Sequence, residues 1–66
     1  MKVRLDDIKL YIAMSRSGLN TGEIAEKAGI SRNTLSLIKN GKICTPQTAQ
    51  KIATALEVDV TELIEN

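Results

Sequence analysis

The stretch Thr21–Asn40, TGEIAEKAGISRNTLSLIKN, constrains this chain more than any other. It reads as two short amphipathic helices joined by a three-residue turn centred on Gly29-Ile30-Ser31. Apolar or small residues stand at Ile24, Ala25, Ala28, Ile30, Leu35 and Ile38, where two such helices must touch each other or a shared core. Asn20, with Glu23 three positions later, opens the first of them as a capping box. Gly22 sits in the first turn, where its missing side chain lets another backbone approach. Gly29 ends that helix, because a left-handed conformation costs glycine little. Ser31 caps the second helix, and Asn40-Gly41 stops it.

The flanking segments supply the cover that such a corner needs. Met1–Leu5 alternates polar and apolar residues and reads as either an extended segment or a frayed helix start. Asp6 or Asp7 then caps a helix running to about Ser17 and stopped by Gly18. That helix carries two apolar stripes, Leu10/Ala13/Met14 and, nearly opposite, Leu5/Ile8/Ile12. A core this small takes one of them, so the other packs under a terminal segment or makes a subunit contact. After a loop at Lys42–Thr45, Thr45-Pro46 starts a fourth helix with a capping hydroxyl and proline at the first helical position. Ala49, Ile52, Ala53 and Leu56 give it a single apolar stripe. Asp59 and Glu62 form another capping box ahead of Leu63 and Ile64, which predicts a short fifth helix. No repeat, linker or low-complexity tract interrupts this, and one domain over residues 1–66 is expected.

Composition narrows the chemistry. A domain of 66 residues buries only about 60% of its unfolded surface and is marginal unless well packed. With one cysteine and no histidine, neither an internal disulfide nor a Cys/His zinc site can form. No apolar run approaches the roughly 18 residues of a membrane helix and no signal-peptide core is present, so a cytoplasmic location is expected, with Cys44 reduced. Asp6 and Asp7 are adjacent, but successive helical residues diverge by about 100° and make no acid/base pair. Catalysis is therefore not expected, and neither is a cofactor or a metal. Net charge is only +1, yet its distribution is uneven. Lys27, Arg32, Lys39, Lys42 and Lys51 occupy a thirty-residue stretch, 27–56, without one acid, whereas residues 57–66 hold four acids and no base. A basic face with an acidic end pointing away suits a polyanionic partner.

The third helix shows what such a face can recognise. On a wheel, Arg32, Asn33, Ser36 and Asn40 form one arc, with Leu37 at one edge and Lys39 at the other. Arginine can donate two hydrogen bonds to guanine, asparagine can pair with adenine, and an aliphatic group can rest on a thymine methyl. Ser31, Arg32, Asn33, Ser36 and Leu37 are thus candidate base readers. Asn20, Thr21, Lys39, Asn40, Lys42, Thr45 and Gln47 lie at helix starts or in the adjoining loop and are candidate phosphate contacts. Capping alone explains Asn20 and Thr45 equally well.

From Leu19 onward the chain resembles the Cro and phage-repressor type of helix-turn-helix, the XRE-like family. The matching residues are Leu19-Asn20, Glu23-Ile24-Ala25, Ala28-Gly29-Ile30-Ser31, Thr34-Leu35-Ser36, Ile38, Asn40-Gly41-Lys42, Pro46, Ile52-Ala53, Ala55-Leu56, Val58 and Leu63. The resemblance implies an all-α, compact five-helix, lambda-repressor-like DNA-binding domain with the helix-turn-helix at its second and third helices. It implies homodimers on pseudo-palindromic double-stranded DNA with recognition helices about 34 Å apart, a geometry inherited from well-known family members. Two departures stand out. The family commonly pairs an arginine at the position of Met14 with a glutamate at that of Lys39, and both are replaced here. The Leu5/Ile8/Ile12 stripe is also unusual, since that side of the first helix is more often polar.

These readings converge on a sequence-specific transcriptional regulator, a repressor, with helix 3 in the major groove. The alternatives are the DNA-binding antitoxin of a toxin–antitoxin pair and a protein-interaction module on the same fold. Two surfaces qualify for the dimer: Val58, Val60, Leu63 and Ile64 at the C-terminal end, or Leu5, Ile8 and Ile12 near helix 1. No small-molecule ligand domain fits in 66 residues, so a signal is expected to arrive through concentration, DNA competition or a protein antagonist.

Overall fold

Asp6 accepts hydrogen bonds from the amides of Ile8 and Lys9, both at 3.0 Å, and starts helix α1 (Asp7–Ser17). Gly18 closes it in the left-handed region. The computed structural model, which describes residues 1–65, continues with α2 (Thr21–Ala28), α3 (Arg32–Lys39) and α4 (Pro46–Leu56). Asn66, the last residue of the expected domain, lies outside the described residues. The fold is all-α, with four α-helices and no strand of more than an isolated bridge among the described residues. The expected capping box of α2 is formed: the Glu23 amide donates to Asn20 Oδ1 at 2.8 Å, and the Asn20 amide donates to Glu23 Oε1 at 3.0 Å. Ser31 and Thr45 cap α3 and α4 through the amides of Thr34 and Thr48.

α2 packs on both α3 and α4, and α1 lies across α3 and α4. The core between them holds Leu10, Ile24, Leu35, Ile38, Ile52 and Leu56, with alanines at 13, 25, 28, 49, 53 and 55 where helices approach closely. Of the expected core residues, Ile30 and Met14 are only half-buried and pack against its edge. Among the described residues no helix is long and apolar enough to cross a membrane.

Two expectations are corrected, the fifth helix and the place of Leu5 and Leu63, and one left open is decided, the extended form of Met1–Leu5. The fifth helix is a single 3-10 turn, Val60–Glu62, because its capping box sits only four residues before Leu63 turns into the core. Met1–Leu5 is extended and serves as a strap. Val3 and Cys44 exchange backbone hydrogen bonds at 2.7 and 2.8 Å, and the Asp6 amide donates to the Leu63 carbonyl at 2.7 Å. The Glu65 amide donates to the Arg4 carbonyl at 2.9 Å, so the strap pairs with the loop before α4 on one side and the chain end on the other. Finally, Leu5 belongs to this strap and not to a helical stripe. Leu5 and Leu63 are 1% and 0% exposed, so neither is available as a subunit contact.

Candidate nucleic-acid interface

The two helices of the corner are held by local chemistry at both ends. Gly29, at φ 75°, turns the chain between them, and the Ile30 amide donates to the Ala25 carbonyl at 3.0 Å. Burial of Leu35 and Ile38 then fixes the rotation of α3 about its axis. With steps of about 100° per residue, the side away from the core carries Asn33, Ser36, Leu37 and Asn40. All four are exposed, and Leu37 remains 40% exposed although it is a leucine. Arg32 and Lys39, seven residues apart, fall instead on the flank toward the start of α2.

That flank and the start of α2 enclose an open concavity of about 520 Å³, lined by Thr21, Arg32, Asn33, Ser36 and Lys39. The fold thus brings together five of the candidate contacts. Lys39 is half-buried, and its Nζ donates to Thr21 Oγ1 at 3.2 Å. Met14, where the resemblance implies an arginine, is a half-buried packing residue, so Lys39 has turned to a different helix for its partner. Asn40 lies beside Lys39 in a neighbouring hollow. Lys42, Thr45 and Gln47 are exposed but do not line the concavity.

Some candidates already spend their polar atoms on the fold. Ser31 Oγ caps α3 and shares a 2.6 Å hydrogen bond with the Thr34 hydroxyl. Asn20 Oδ1 is occupied by its own cap, and the Thr45 hydroxyl by the Thr48 amide at 3.2 Å. Gly22 has a role that its sequence position only half suggested. A Cβ added there would stand 3.7 Å from Cζ and Nε of Arg32, an ordinary contact, so the neighbour of Gly22 is an arginine side chain and not another backbone. No spacing rule links residues ten or eighteen apart on different helices, so neither this contact nor the Lys39–Thr21 bond was legible in the sequence.

The dimer candidates fall into two groups after folding. Ile8 and Ile12 stay 66% and 45% exposed and are joined by Tyr11 on the same side of α1. Val58, Val60 and Ile64 are half-buried against the core. Ile12 and Val58 line the same small hollow, of about 120 Å³, so the two surfaces expected as rivals are neighbours.

Residues 9–66 match the family model of the Cro/C1-type HTH DNA-binding domain. No curated protein matches the sequence significantly. Among solved structures the chain is similar to PhpD with cadmium complexed with hydroethylphosphonate, at 25% identity and a TM-score of 0.82. It is equally similar to a point mutant of hydroxyethylphosphonate dioxygenase, at 25% identity and 0.83. In both cases the match covers 96% of this chain but only 14% of the other. These matches overturn the expectation that the chain is not an enzyme, since the solved structures it is similar to include hydroxyethylphosphonate dioxygenase. Reacting groups counted within 66 residues decide what those residues catalyse alone, not the chemistry of a chain in which such a fold is one part.

Proposed function

The chain belongs to the family of Cro/C1-type HTH DNA-binding domains, and from that premise we propose that it is a sequence-specific transcriptional regulator acting as a repressor. In this reading α2 and α3 are the helix-turn-helix, and α3 lies in the major groove of double-stranded DNA. Asn33, Ser36 and Leu37 on its outward side face base edges, while Thr21, Lys39, Asn40 and Lys42 hold phosphates, joined by the starts of α2 and α4. The domain comprises residues 1–66 and works in the cytoplasm.

The observation that carries this reading is the outward side of α3. A helix whose exposed side offers two amides, a hydroxyl and a leucine, within thirty residues free of acid, is built to meet an anionic surface with hydrogen-bonding edges. Binding to generic duplex DNA over a salt series tests it. Affinity is expected to fall steeply with salt, and Lys39→Glu is expected to weaken binding and flatten the slope. An unchanged affinity and slope in Lys39→Glu would remove Lys39 from the phosphate contacts.

The longest axis of the fold is 28 Å. That is less than the roughly 34 Å between successive major grooves on one face of a duplex, so one copy fills one groove and a two-fold operator takes two. A homodimer is therefore part of the proposal.

One comparison favours a second reading. A segment of similar fold lies within structures named for hydroxyethylphosphonate dioxygenase and not for DNA binding, so the alternative is a protein-interaction module on the same fold. Binding to duplex DNA that is absent or indifferent to salt would favour that reading.

A further inference from the structure

α3 carries two kinds of polar side chain at different positions round its axis, although Asn33 and Ser36 border the same concavity as Arg32 and Lys39. Asn33, Ser36 and Leu37 stand on the outward side, opposite the buried Leu35 and Ile38. The two cations of the helix stand on its flank. Arg32 lies against Gly22 of α2, within 3.7 Å of where a Cβ would be, and Lys39 Nζ is bonded to Thr21 at 3.2 Å. A guanidinium reads guanine by placing two parallel donors on O6 and N7, which requires a side chain directed from the outward side into the groove. Arg32 stands about a quarter-turn round the helix from that side, with its guanidinium carbon beside Gly22 of α2.

We propose that Arg32 and Lys39 are cations that position the duplex through its phosphates, and that Asn33, Ser36 and Leu37 alone read bases, so that the half-site beneath α3 is made of A·T pairs. The chemistry of the outward side favours A·T pairs through Asn33 and Leu37. The Asn33 amide can donate to adenine N7 while accepting from N6, the Leu37 methyls can pack on a thymine methyl, and the Ser36 hydroxyl suits several bases. None of the three offers the paired donors that select guanine. Arg32 and Lys39, on one flank and two helical turns apart, can follow a strand without discriminating among its bases. The inference rests on α3 being the recognition helix, and it changes the role expected of Arg32 from base reader to phosphate contact.

Selection of bound sites from a pool of duplexes with a randomised core tests this, carried out with the unaltered chain and with Arg32→Ala, Asn33→Ala and Leu37→Ala. All three substitutions alter exposed side chains, and thermal melts establish that the variants fold. Half-sites selected by the unaltered chain are expected to hold A·T pairs and no invariant guanine. Arg32→Ala is expected to weaken binding by a similar factor on every duplex and to lower the salt slope by about one, with base preferences intact. Asn33→Ala is expected to lose preference at one adenine, a drop in discrimination of roughly 10-fold or more, and Leu37→Ala to lose it at one thymine. An invariant G·C pair whose preference vanishes in Arg32→Ala overturns the assignment while leaving the regulator reading intact. If the unaltered chain binds no duplex in a salt-dependent way, the regulator reading fails and this inference with it.

Discussion

Glu57 closes α4 at φ 59° and ψ 41°, the one non-glycine residue with positive φ among the described residues. The left-handed region costs a side-chain-bearing residue about 1–2 kcal/mol, partly recovered here because glycine would lose more chain entropy on folding. Its ion pair with Lys27, at 3.7 Å between exposed groups, contributes little against that. Glu57→Gly is expected to raise stability by about 0.5 kcal/mol in urea unfolding; a lower midpoint would mean the Lys27 pair matters more than the backbone. Gly22 and Gly29 make the opposite contrast. A Cβ at Gly22 meets Asn20 and Arg32 at ordinary contact distances of 3.4 and 3.7 Å, so Gly22→Ala is expected to stabilise α2 by roughly 0.5–1 kcal/mol. At Gly29, φ 75° leaves open space but a strained backbone, and Gly29→Ala is expected to cost about 1 kcal/mol or more. Denaturation of the pair side by side would show opposite signs. Gly29 as a helix stop and the caps at Asn20, Ser31 and Thr45 were legible in the sequence because each involves residues only a few positions apart.

At the scale of elements, the strap Met1–Leu5 is the part that sequence patterning left open. Alternation of polar and apolar residues is compatible with extended chain, but it names no partner, and the partners are 41 and 59 positions away at Cys44 and Ile64. Once paired, the strap runs beside Cys44, whose thiol is pushed above its ordinary range by burial. Val3→Pro removes the donor to the Cys44 carbonyl and is expected to cost about 1–2 kcal/mol. It is also expected to speed alkylation of Cys44, and an unchanged rate would show that the strap does not protect the thiol. Leu5→Ala, at the buried end of the same strap, is expected to cost about 2–4 kcal/mol in the same unfolding assay. The 3-10 turn carries a pH dependence of its own. Asp59 accepts from the Thr61 hydroxyl at 2.7 Å and the Thr61 amide at 2.9 Å, and these bonds hold its carboxyl below the usual carboxylate range. Its contribution to stability is therefore full above the unfolded value of about 3.9 and is lost as pH falls through the lower folded value. Asp59→Asn should make the decline in melting temperature below about pH 4 shallower.

At the scale of the molecule, the apolar side of α1 is the feature that remains uncovered. Ile8, Tyr11 and Ile12 are all exposed, and Ile12 shares its hollow with Val58. The proposed dimer is expected to use this joined surface, so Ile8→Glu with Ile12→Glu should lower the sedimentation coefficient. Val60→Glu tests the C-terminal side separately. Two unchanged dimers would remove both surfaces from consideration.

The sequence by itself determined the caps and stops of the four α-helices, the corner the fold is built around, and the Cro/C1-type family, whose model matches residues 9–66. Caps, glycine stops and apolar periodicity act over fewer than about eight residues, and a chain states them directly. Only the tertiary structure decided that Leu5 and Leu63 are core residues, that Lys39 reaches Thr21, and that Arg32 lies against Gly22. Each of these depends on the rotation and separation of packed elements. Those are set by the combined burial of side chains from all four helices, the strap and the terminal turn, a sum that no local pattern contains.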